Sequence, residues 1–389
     1  MAHKKIPPSA GPSILLKRVV LVGLGLAIGC ALGEWACRHL FNKKLQELTF
    51  SEADLYYTTD PSGVRRHIPN KIGYERLWDN TGKAEFRINS LGLRGKEIET
   101  PKPANTFRII FLGDSITLGG RLPEEATFVS RIARALQARP SAPTDGVNAD
   151  VVNAGVGDTG LIEERQWLND VGFKIQPDLV ILCWYLNDNR PPVGFPEETV
   201  YKNPAIRWLN QQSWLRQSYL MGTLYGNLRQ VLARHQIALM ESRSRRFDWI
   251  NAYNAGLWVK DPAEFQKLIE GAQFDWGDAW KDASLAAMCQ KISAIRDSMS
   301  SHHARFAVVA FPEHAQVVTN VASPLISKPQ DQLKEFCGSH QIPFFDLLPV
   351  LRSKQGQRLF YDNCHYTPGG NSVVAELITE FLKGKNLLF

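Results

Sequence analysis

Two short segments, far apart in the chain, hold side chains that together could activate a nucleophile. Ser115 comes just after the mostly apolar run 107–112, which is typical of a buried parallel strand. Asp362 precedes His365 by three residues, a spacing that lets one turn of chain orient an imidazole with its own carboxylate. A serine hydroxyl attacks a carbonyl carbon efficiently only when a nearby base takes its proton, so these residues predict a nucleophilic site.

The elements that must position these residues alternate along the chain between strand and helix patterns. This alternation predicts an α/β fold, a three-layer α/β/α sandwich with a mainly parallel sheet. Open sheets of this kind bind ligands at the carboxyl ends of their strands, where Ser115 would lie. The strand patterns cover residues 107–112, 149–153, 179–184, 305–311 and 343–345, and the helix patterns cover residues 127–138, 161–171, 282–298, 331–339 and 370–382.

Four short blocks carry the candidate residues, and in their order they resemble the SGNH (GDSL-type) hydrolases, a family of serine esterases, lipases and deacetylases. The resemblance covers residues 105–389 and implies a flavodoxin-like version of the predicted sandwich. One Gly-Asp-Ser triplet is a weak signal, whereas four blocks in family order are specific. The blocks are Gly113-Asp114-Ser115, Asn153 to Thr159, Tyr185-Leu186-Asn187-Asp188, and Asp362 to His365.

The resemblance implies a role for each member of a Ser-His-Asp triad. Ser115 would be the nucleophile, and His365 the base that takes its proton and later protonates the leaving alcohol. Asp362 would fix the tautomer of the imidazole and stabilise its charged form. Such a site needs neither a metal nor a cofactor. Taken singly, Ser115 or Asp362 could instead cap a helix, and His365 could be an ordinary loop residue.

The same resemblance implies three donors for the oxyanion that forms when an ester is attacked. They are the backbone N–H groups of Ser115 and Gly157 and the side-chain amide of Asn187, with Gly155 as the other candidate for the glycine. The third block departs from the family pattern, because Tyr185 stands where glycine is usual. A tyrosine cannot adopt the backbone angles open to glycine without cost, so it could narrow or block the cleft beside Asn187.

The N-terminal segment has the pattern of a membrane signal. Residues 19–33 are all apolar or small, and the helix could continue past Glu34 to about residue 40. Seven lysines and arginines against one glutamate in residues 1–44 account for the whole formal charge of +6. Because four of these cations precede the apolar run, the positive-inside rule predicts a cytoplasmic N-terminus and an exported remainder, in a bacterial periplasm or at a cell surface.

Cleavage of this segment is the competing interpretation. A charged stretch followed by a short apolar core also fits a signal peptide, and Leu26 to Cys30 resembles a loose bacterial lipoprotein cleavage site. We expect an uncleaved transmembrane signal anchor over residues 19–40, after a basic cytoplasmic tail over residues 1–18. A buried helix of a soluble protein fits less well, because nothing directly after it could pack on it.

Other residue types argue against several classes of function. Outside the N-terminal segment the chain is formally neutral, which argues against a nucleic-acid partner. The six cysteines show no Cys-x-x-Cys spacing, and His302, His303, His314 and His340 show no metal-ligand spacing. Cys364 lies inside the fourth block, where we expect it to shape the loop rather than to act as a nucleophile.

Two further segments flank and interrupt the sandwich. Residues 41–104 are predicted to form a connector and a packed N-terminal extension, because Phe86 and Ile88 are among several apolar anchors. Residues 190–280 are too many for a simple connection, and they carry six of the ten tryptophans. They predict an inserted helical segment, either a subdomain whose aromatic residues fill its own core or a lid beside the cleft.

The patterns and the resemblance together imply a membrane-anchored, exported serine esterase. It would remove short acyl groups, acetyl among them, from an envelope glycan or another acylated small molecule. The same acyl-enzyme could pass its acyl group to an alcohol, which would make the protein an acyltransferase. The non-catalytic alternative is an SGNH-like module that binds an acylated glycan or a partner, with Tyr185 blocking the oxyanion site. Apart from the substrate, the predicted partner is the membrane, through residues 19–40. The sequence identifies no protein partner.

Overall fold

The computed structural model describes the chain in several stretches and divides it into two compact units. The first unit takes residues 1–50 and 199–234, and the second takes residues 51–198 and 235–389. Parts of the predicted tail, connector and insertion lie outside the described residues. The described residues are 12–42, 44, 57–59, 64–138, 146–190, 208, 212–228, 231, 235 and 245–388.

The N-terminal extension of the second unit contains two antiparallel hairpins that the sequence pattern does not predict. Phe86 and Ile88 are buried, and they pack in a small cluster with Tyr57, Leu118 and Val156. Since Leu118 and Val156 lie shortly after two sheet strands, the extension packs beside the predicted site. The paired strands are β1 (Tyr57–Thr59) with β2 (Arg65–His67), and β3 (Ile72–Arg76) with β4 (Lys83–Arg87).

The second unit is built on a five-stranded parallel sheet, which confirms the predicted fold class. Its central strands are buried along almost their whole length, as expected for a sheet covered on both faces. The strand predicted over residues 305–311 has those bounds, and the ends of the others differ from the predicted ones by at most two residues. The strands are β5 (Thr106–Gly113), β6 (Asn148–Gly155), β7 (Leu179–Tyr185), β8 (Arg305–Phe311) and β9 (Phe344–Asp346).

The order of these strands decides where a ligand crevice can open. The sheet runs β6-β5-β7-β8-β9, which is the flavodoxin-like order 2-1-3-4-5 when β5 is counted first. The chain leaves β5 in one direction to reach β6 and then returns past β5 to β7. The crevice of such sheets lies at the carboxyl ends of the two strands that flank this reversal. Those strands, β5 and β7, end at the first and third sequence blocks.

Helices cover the sheet in two groups. Phe128–Gln137 packs against Pro368–Gly384, and Asp282–Ser300 packs against both Leu161–Asp170 and Lys328–Ser339. Right-handed connections put these groups on opposite faces, because the chain moves in opposite directions after β5 and after β6. The other α-helices in the described part of the second unit are Ser115–Leu118, Ile250–Ala255, Pro262–Gly271, His314–Val318 and Leu348–Ser353.

Local sequence signals explain two of the helix starts that differ from the predicted bounds. The helix predicted from residue 127 begins at Phe128, because Thr127 is its N-cap and its hydroxyl accepts a hydrogen bond from the Ser130 N–H at 3.3 Å. The helix predicted from residue 331 begins at Lys328. Pro329 lies in its first turn, where a backbone N–H has no partner within the helix.

The predicted insertion is divided between the two units. Four of its tryptophans, Trp249, Trp258, Trp276 and Trp280, are buried in the same hydrophobic core as the sheet strands. This part of the insertion therefore completes the core of the second unit instead of forming a separate one. The other two tryptophans, Trp208 and Trp214, are exposed and belong to the first unit.

The first unit contains the long N-terminal helix Pro12–Leu40. Its stretch Ile14–Leu40 has a hydropathy of 2.1 and is long and apolar enough to cross a membrane, although a signal sequence also has these properties. The described part of the insertion adds a short helix, Ser213–Arg216, and a helical stretch over residues 219–228.

Two glycines allow the turn after β5 to lie directly on the neighbouring strands. A Cβ added at Gly155, the last residue of β6, would lie 2.6 Å from the Leu118 Cα. A Cβ added at Gly113, the last residue of β5, would lie 3.1 Å from the Cβ of Cys183 on β7. Only glycine therefore lets the helix that begins at Ser115 pack this close to the strand ends.

We predict that Gly155→Ala lowers the free energy of unfolding by about 1–3 kcal/mol, because the new methyl group overlaps backbone atoms that cannot move aside. Urea unfolding of the purified protein measures this change. Gly338→Ala is the matched control, since Gly338 has no heavy atom within 4 Å of its added Cβ and lies near the end of a helix. Equal midpoints for the two variants would contradict the packing argument.

Candidate active site

Ser115 is the first residue of a four-residue helix that begins where β5 ends. The residue before it, Asp114, is the N-cap, and its side chain accepts a hydrogen bond from the Ile116 N–H at 2.8 Å. The cap at this turn is therefore Asp114, and the Ser115 hydroxyl is left to contact other groups. Asp114 is buried, so the turn is held from inside the protein.

Asp362 shapes the loop that carries His365 and also orients its imidazole. One carboxylate oxygen accepts hydrogen bonds from the backbone N–H groups of Cys364 and His365 at 3.0 and 2.7 Å. The other oxygen lies 2.8 Å from the His365 Nδ1. The three-residue spacing therefore does what the sequence predicts, because one carboxylate closes the turn and holds the ring.

The second imidazole nitrogen of His365 reaches the serine. Its Nε2 lies 2.8 Å from the Ser115 Oγ, although 250 residues separate the two in the chain. The structure thus brings together the three side chains that the sequence singles out, in the order Asp362, His365, Ser115. With Nδ1 protonated toward the carboxylate, Nε2 is the nitrogen that can accept the hydroxyl proton.

The charges of this chain of groups favour an imidazole that binds a proton readily. Burial alone would lower the pKa of His365, but the Asp362 carboxylate opposes burial and raises it overall. Burial alone would raise the pKa of Asp362, but the charge and hydrogen bonds of His365 lower it to about 2. Asp362 is therefore ionised over the whole range in which the imidazole titrates.

Tyr361 supports the imidazole from one face, a contact that sequence reasoning missed. Its ring is stacked on the His365 ring with centroids 5.6 Å apart and planes at 12°. Its hydroxyl donates a hydrogen bond to the carbonyl oxygen of Gly120 at 3.1 Å, near the helix that carries Ser115. The stack restricts rotation of the ring away from the serine. Tyr361 stands directly before Asp362, and this position is the only sequence signal for its contact with His365.

The two glycines proposed as oxyanion donors differ in the state of their N–H groups. The Gly155 N–H already donates to the Asn153 side chain at 3.0 Å, and Gly155 is packed against Leu118. Within the described residues, the N–H of Gly157 and that of Ser115 have no acceptor. The Asn187 side chain likewise has no hydrogen-bond partner in this part of the chain. Three polar groups are thus available beside the serine, and Gly155 is not one of them.

The profile of the family described as GDSL-like Lipase/Acylhydrolase matches residues 109–378, which is more than half of the chain. The chain belongs to this family. It is therefore a serine hydrolase that acts on ester bonds. None of the curated proteins matches its sequence.

Several solved structures are similar to this hydrolase at low identity. A putative lipolytic protein of the G-D-S-L family from Desulfitobacterium hafniense shares 12% identity over 71% of this chain and 99% of its own, with a TM-score of 0.38. The lipase/acylhydrolase from Enterococcus faecalis shares 13% identity over 72% of this chain and 96% of its own, with a TM-score of 0.38. A catalytic mutant of an acetylxylan esterase from Geobacillus stearothermophilus shares 12% identity over 71% of this chain and 94% of its own, with a TM-score of 0.40.

Tyr185, the residue that departs from the family pattern, is packed inside the hydrolase. Its φ lies outside the positive region, so its backbone does not need the freedom of glycine. Its side chain is buried, and its hydroxyl donates a hydrogen bond to the Glu313 carboxylate. The same carboxylate oxygen accepts from the Asn363 side chain at 3.4 Å, inside the loop between Asp362 and His365. Tyr185 thus ties the end of β7 to the histidine loop.

A buried network of four charges holds the turns that carry Gly157 and Asn187. The Arg190 guanidinium contacts Asp158 and Asp275, each at 2.9 Å. Arg246 contacts the same two carboxylates at 2.9 and 3.4 Å. Asp158 follows Gly157 and has a φ of +59°, which aspartate tolerates better than most residues. Sequence reasoning missed this network, because its members are spread over residues 158–275.

The donors around His365 do not suit a metal ion. Among the described residues, Asp362, Cys364 and His365 are the one acid, thiol and imidazole group close enough to share an ion. Both imidazole nitrogens already contact Asp362 and Ser115, and burial raises the pKa of Cys364 well above its ordinary value, which keeps it a thiol. His314 lies with its Nδ1 2.6 Å from the Tyr253 hydroxyl, and burial lowers its pKa. These contacts agree with a metal-free site.

We predict that the esterase rate falls as the pH drops through a midpoint above 6.5. The pKa of His365 is raised above that ordinary value, and a protonated imidazole cannot accept the serine proton. Asp362→Asn removes the carboxylate that raises this pKa. It should move the midpoint to lower pH and lower the maximal rate by about 10⁴-fold. A pH profile of kcat/KM measures both changes.

Asp297→Asn is the control for this profile, since Asp297 forms an exposed ion pair with Arg296. It should leave both the midpoint and the maximal rate as they are in the unmodified enzyme. The coupling between Asp362 and His365 is disproved if Asp362→Asn keeps the original midpoint.

Proposed function

We propose that the protein is a membrane-anchored, exported serine esterase that removes short acyl groups, acetyl among them, from an envelope glycan or another exported ester. Ser115 is the nucleophile, His365 the general base and acid, and Asp362 the residue that orients the imidazole. The observation that carries this proposal is the continuous contact from Asp362 through His365 to the Ser115 hydroxyl, with 2.8 Å at each step.

The reaction follows from these contacts. The Ser115 Oγ attacks the ester carbon while the His365 Nε2 takes its proton, and the carbonyl oxygen becomes an oxyanion. The N–H groups of Ser115 and Gly157 and the Asn187 amide donate to that oxyanion. The imidazolium then gives its proton to the leaving alcohol, and a water molecule releases the acid from the acyl-enzyme. The two backbone donors are supported by their lack of another acceptor in the described residues.

The preference for short acyl groups is supported by the surroundings of Gly157. A Cβ added at Gly157 would overlap the Tyr57 hydroxyl, so this aromatic side chain of the N-terminal extension closes the space beside the glycine. A long acyl chain needs an open apolar channel beyond the oxyanion site. A crowded site of this kind suits a small group such as acetyl.

The membrane anchor is supported by the length and composition of the helix Pro12–Leu40. Its N-terminal flank is basic, which favours a cytoplasmic N-terminus and an exported catalytic unit. The alternative of a binding module with a blocked site loses support, because the Tyr185 side chain is buried and its hydroxyl is bound to the Glu313 carboxylate.

We predict that a fluorophosphonate probe labels the full chain in detergent and that Ser115→Ala abolishes this labelling without unfolding the protein. Ser339→Ala is the control, because Ser339 lies exposed at the end of a helix and should leave labelling intact. Labelling is followed by in-gel fluorescence and folding by circular dichroism. Full labelling of Ser115→Ala would show that another residue is the nucleophile. In the unmodified enzyme, ester turnover with added alcohols distinguishes hydrolysis from acyl transfer.

We predict that Asn187→Ala lowers kcat by about 10²–10³-fold on a good acetyl ester, because one oxyanion donor is lost. The KM should change much less, since this hydrogen bond strengthens only in the transition state. Asn189→Ala is the matched control in the same turn, because its amide contacts Ser284 and Lys291 instead. An unchanged kcat in Asn187→Ala would make Asn187 a turn residue.

A further inference from the structure

The first unit pairs the N-terminal helix with the insertion through one acidic side chain. Glu34 lies in the last third of the helix Pro12–Leu40. The Ser218 hydroxyl and the backbone N–H groups of Tyr219 and Leu220 donate to its carboxylate at 2.7, 2.9 and 2.9 Å. These N–H groups belong to the first turn of the helical stretch over residues 219–228, where they have no partner within that helix. Glu34 thus caps a helix from another part of the chain.

Side chains around this cap show a packed contact between the two segments. A Cβ added at Gly33 would lie 3.3 Å from the Leu220 side chain, so the small residue allows close approach. The Arg38 guanidinium lies 4.9 Å from the centre of the Tyr219 ring. Cys37 and Tyr225 are buried, although both belong to segments that are otherwise largely exposed. The contact is therefore specific to one face of each helix.

The outer face of the insertion helix is apolar and uncovered. Leu224, Leu228 and Val231 are at least half exposed and recur at helical spacing, so they form one stripe. Trp214, just before this helix, is 69% exposed. Soluble proteins rarely leave such a stripe in contact with water. The stripe needs an occupant other than solvent.

We infer that residues 212–228 and Val231 form a second membrane-contacting element, with the lipid bilayer as the occupant of the apolar stripe. The N-terminal helix to which this element is attached also has an uncovered apolar surface, where Trp35 is 65% exposed. Tryptophan favours the membrane–water interface, and basic residues favour anionic headgroups. Arg38 and Lys44 both lie near the Tyr219 ring, in the first turn of the same helical stretch. This inference rests on the membrane location given under the proposed function.

The inference also accounts for an acidic residue in an apolar helix. A carboxylate near lipid is costly unless polar groups of the protein satisfy it. Two N–H groups and one hydroxyl donate hydrogen bonds to the Glu34 carboxylate. The positive end of a helix dipole also lies next to this carboxylate. The Glu34 contact is thus compatible with a membrane-binding role for this part of the insertion.

The test places a fluorophore on the stripe of the full chain. Leu224→Cys in a background with Cys30→Ser and Cys289→Ser is labelled with an environment-sensitive probe and reconstituted in vesicles of phosphatidylcholine and phosphatidylglycerol. Brominated lipids should quench this probe several-fold more than the same probe at Ile162→Cys, a position of similar exposure in the second unit. Equal quenching at the two positions would overturn the inference. Flotation after an alkaline carbonate wash tests the anchor separately, since only a chain inserted through the helix Pro12–Leu40 then floats with the vesicles.

A pair of Glu34 variants tests the docking contact. Glu34→Leu removes the acceptor and should reduce quenching at position 224 toward the level of the control position. Glu34→Gln keeps a carbonyl oxygen and should preserve most of the quenching. Fluorophosphonate labelling of Ser115 in each variant reports that the catalytic unit is folded. Unchanged quenching in Glu34→Leu would show that Glu34 does not hold the insertion in place.

Discussion

The catalytic arrangement depends on one hydrogen-bond distance, the 2.8 Å between the Ser115 Oγ and the His365 Nε2. The parallel sheet brings these residues to the same edge, but a sheet edge is much wider than a hydrogen bond. The remaining precision comes from local ties. The Phe128 N–H donates to the Asn371 side chain at 2.8 Å, which joins the chain just after the serine turn to the chain just after the histidine loop. Both segments are thus fixed on the same pair of helices.

The features that sequence predicted are those whose signal lies within a few residues. The buried strands have continuous apolar runs, and the Asp362 turn has its acceptor and its imidazole three residues apart. The hairpins of residues 57–87 escaped prediction, because their strands are short and largely polar. The hydrogen bond from Tyr185 to Glu313 spans 128 residues, and no local pattern encodes it. The departure of Tyr185 from the family pattern was visible in the sequence. The direction of the Tyr185 side chain was not, because it depends on the buried Glu313 carboxylate far along the chain.

Buried charge close to the oxyanion donors is balanced rather than removed. Arg190 and Arg246 face Asp158 and Asp275, so two positive charges meet two negative ones inside the protein. Breaking a buried pair typically costs about 3–5 kcal/mol, since one charge is left without compensation. The network therefore holds the turn after β6 and the turn after β7 in one arrangement. An oxyanion at the proposed Gly157 donor would form beside this fixed network.

The division of the insertion bears on how such a chain could have gained or could lose it. By length alone, residues 190–280 look like a removable addition to a smaller ancestral domain. Removing all of them would delete Arg246 and Asp275 and take Trp249, Trp258 and Trp276 out of the core. A shorter descendant could therefore dispense with residues 212–228, for which we propose lipid contact, while Arg190 and the portion after residue 245 would have to stay. The insertion is one segment in sequence, but one part of it belongs to the core of the second unit and another part belongs to the first unit.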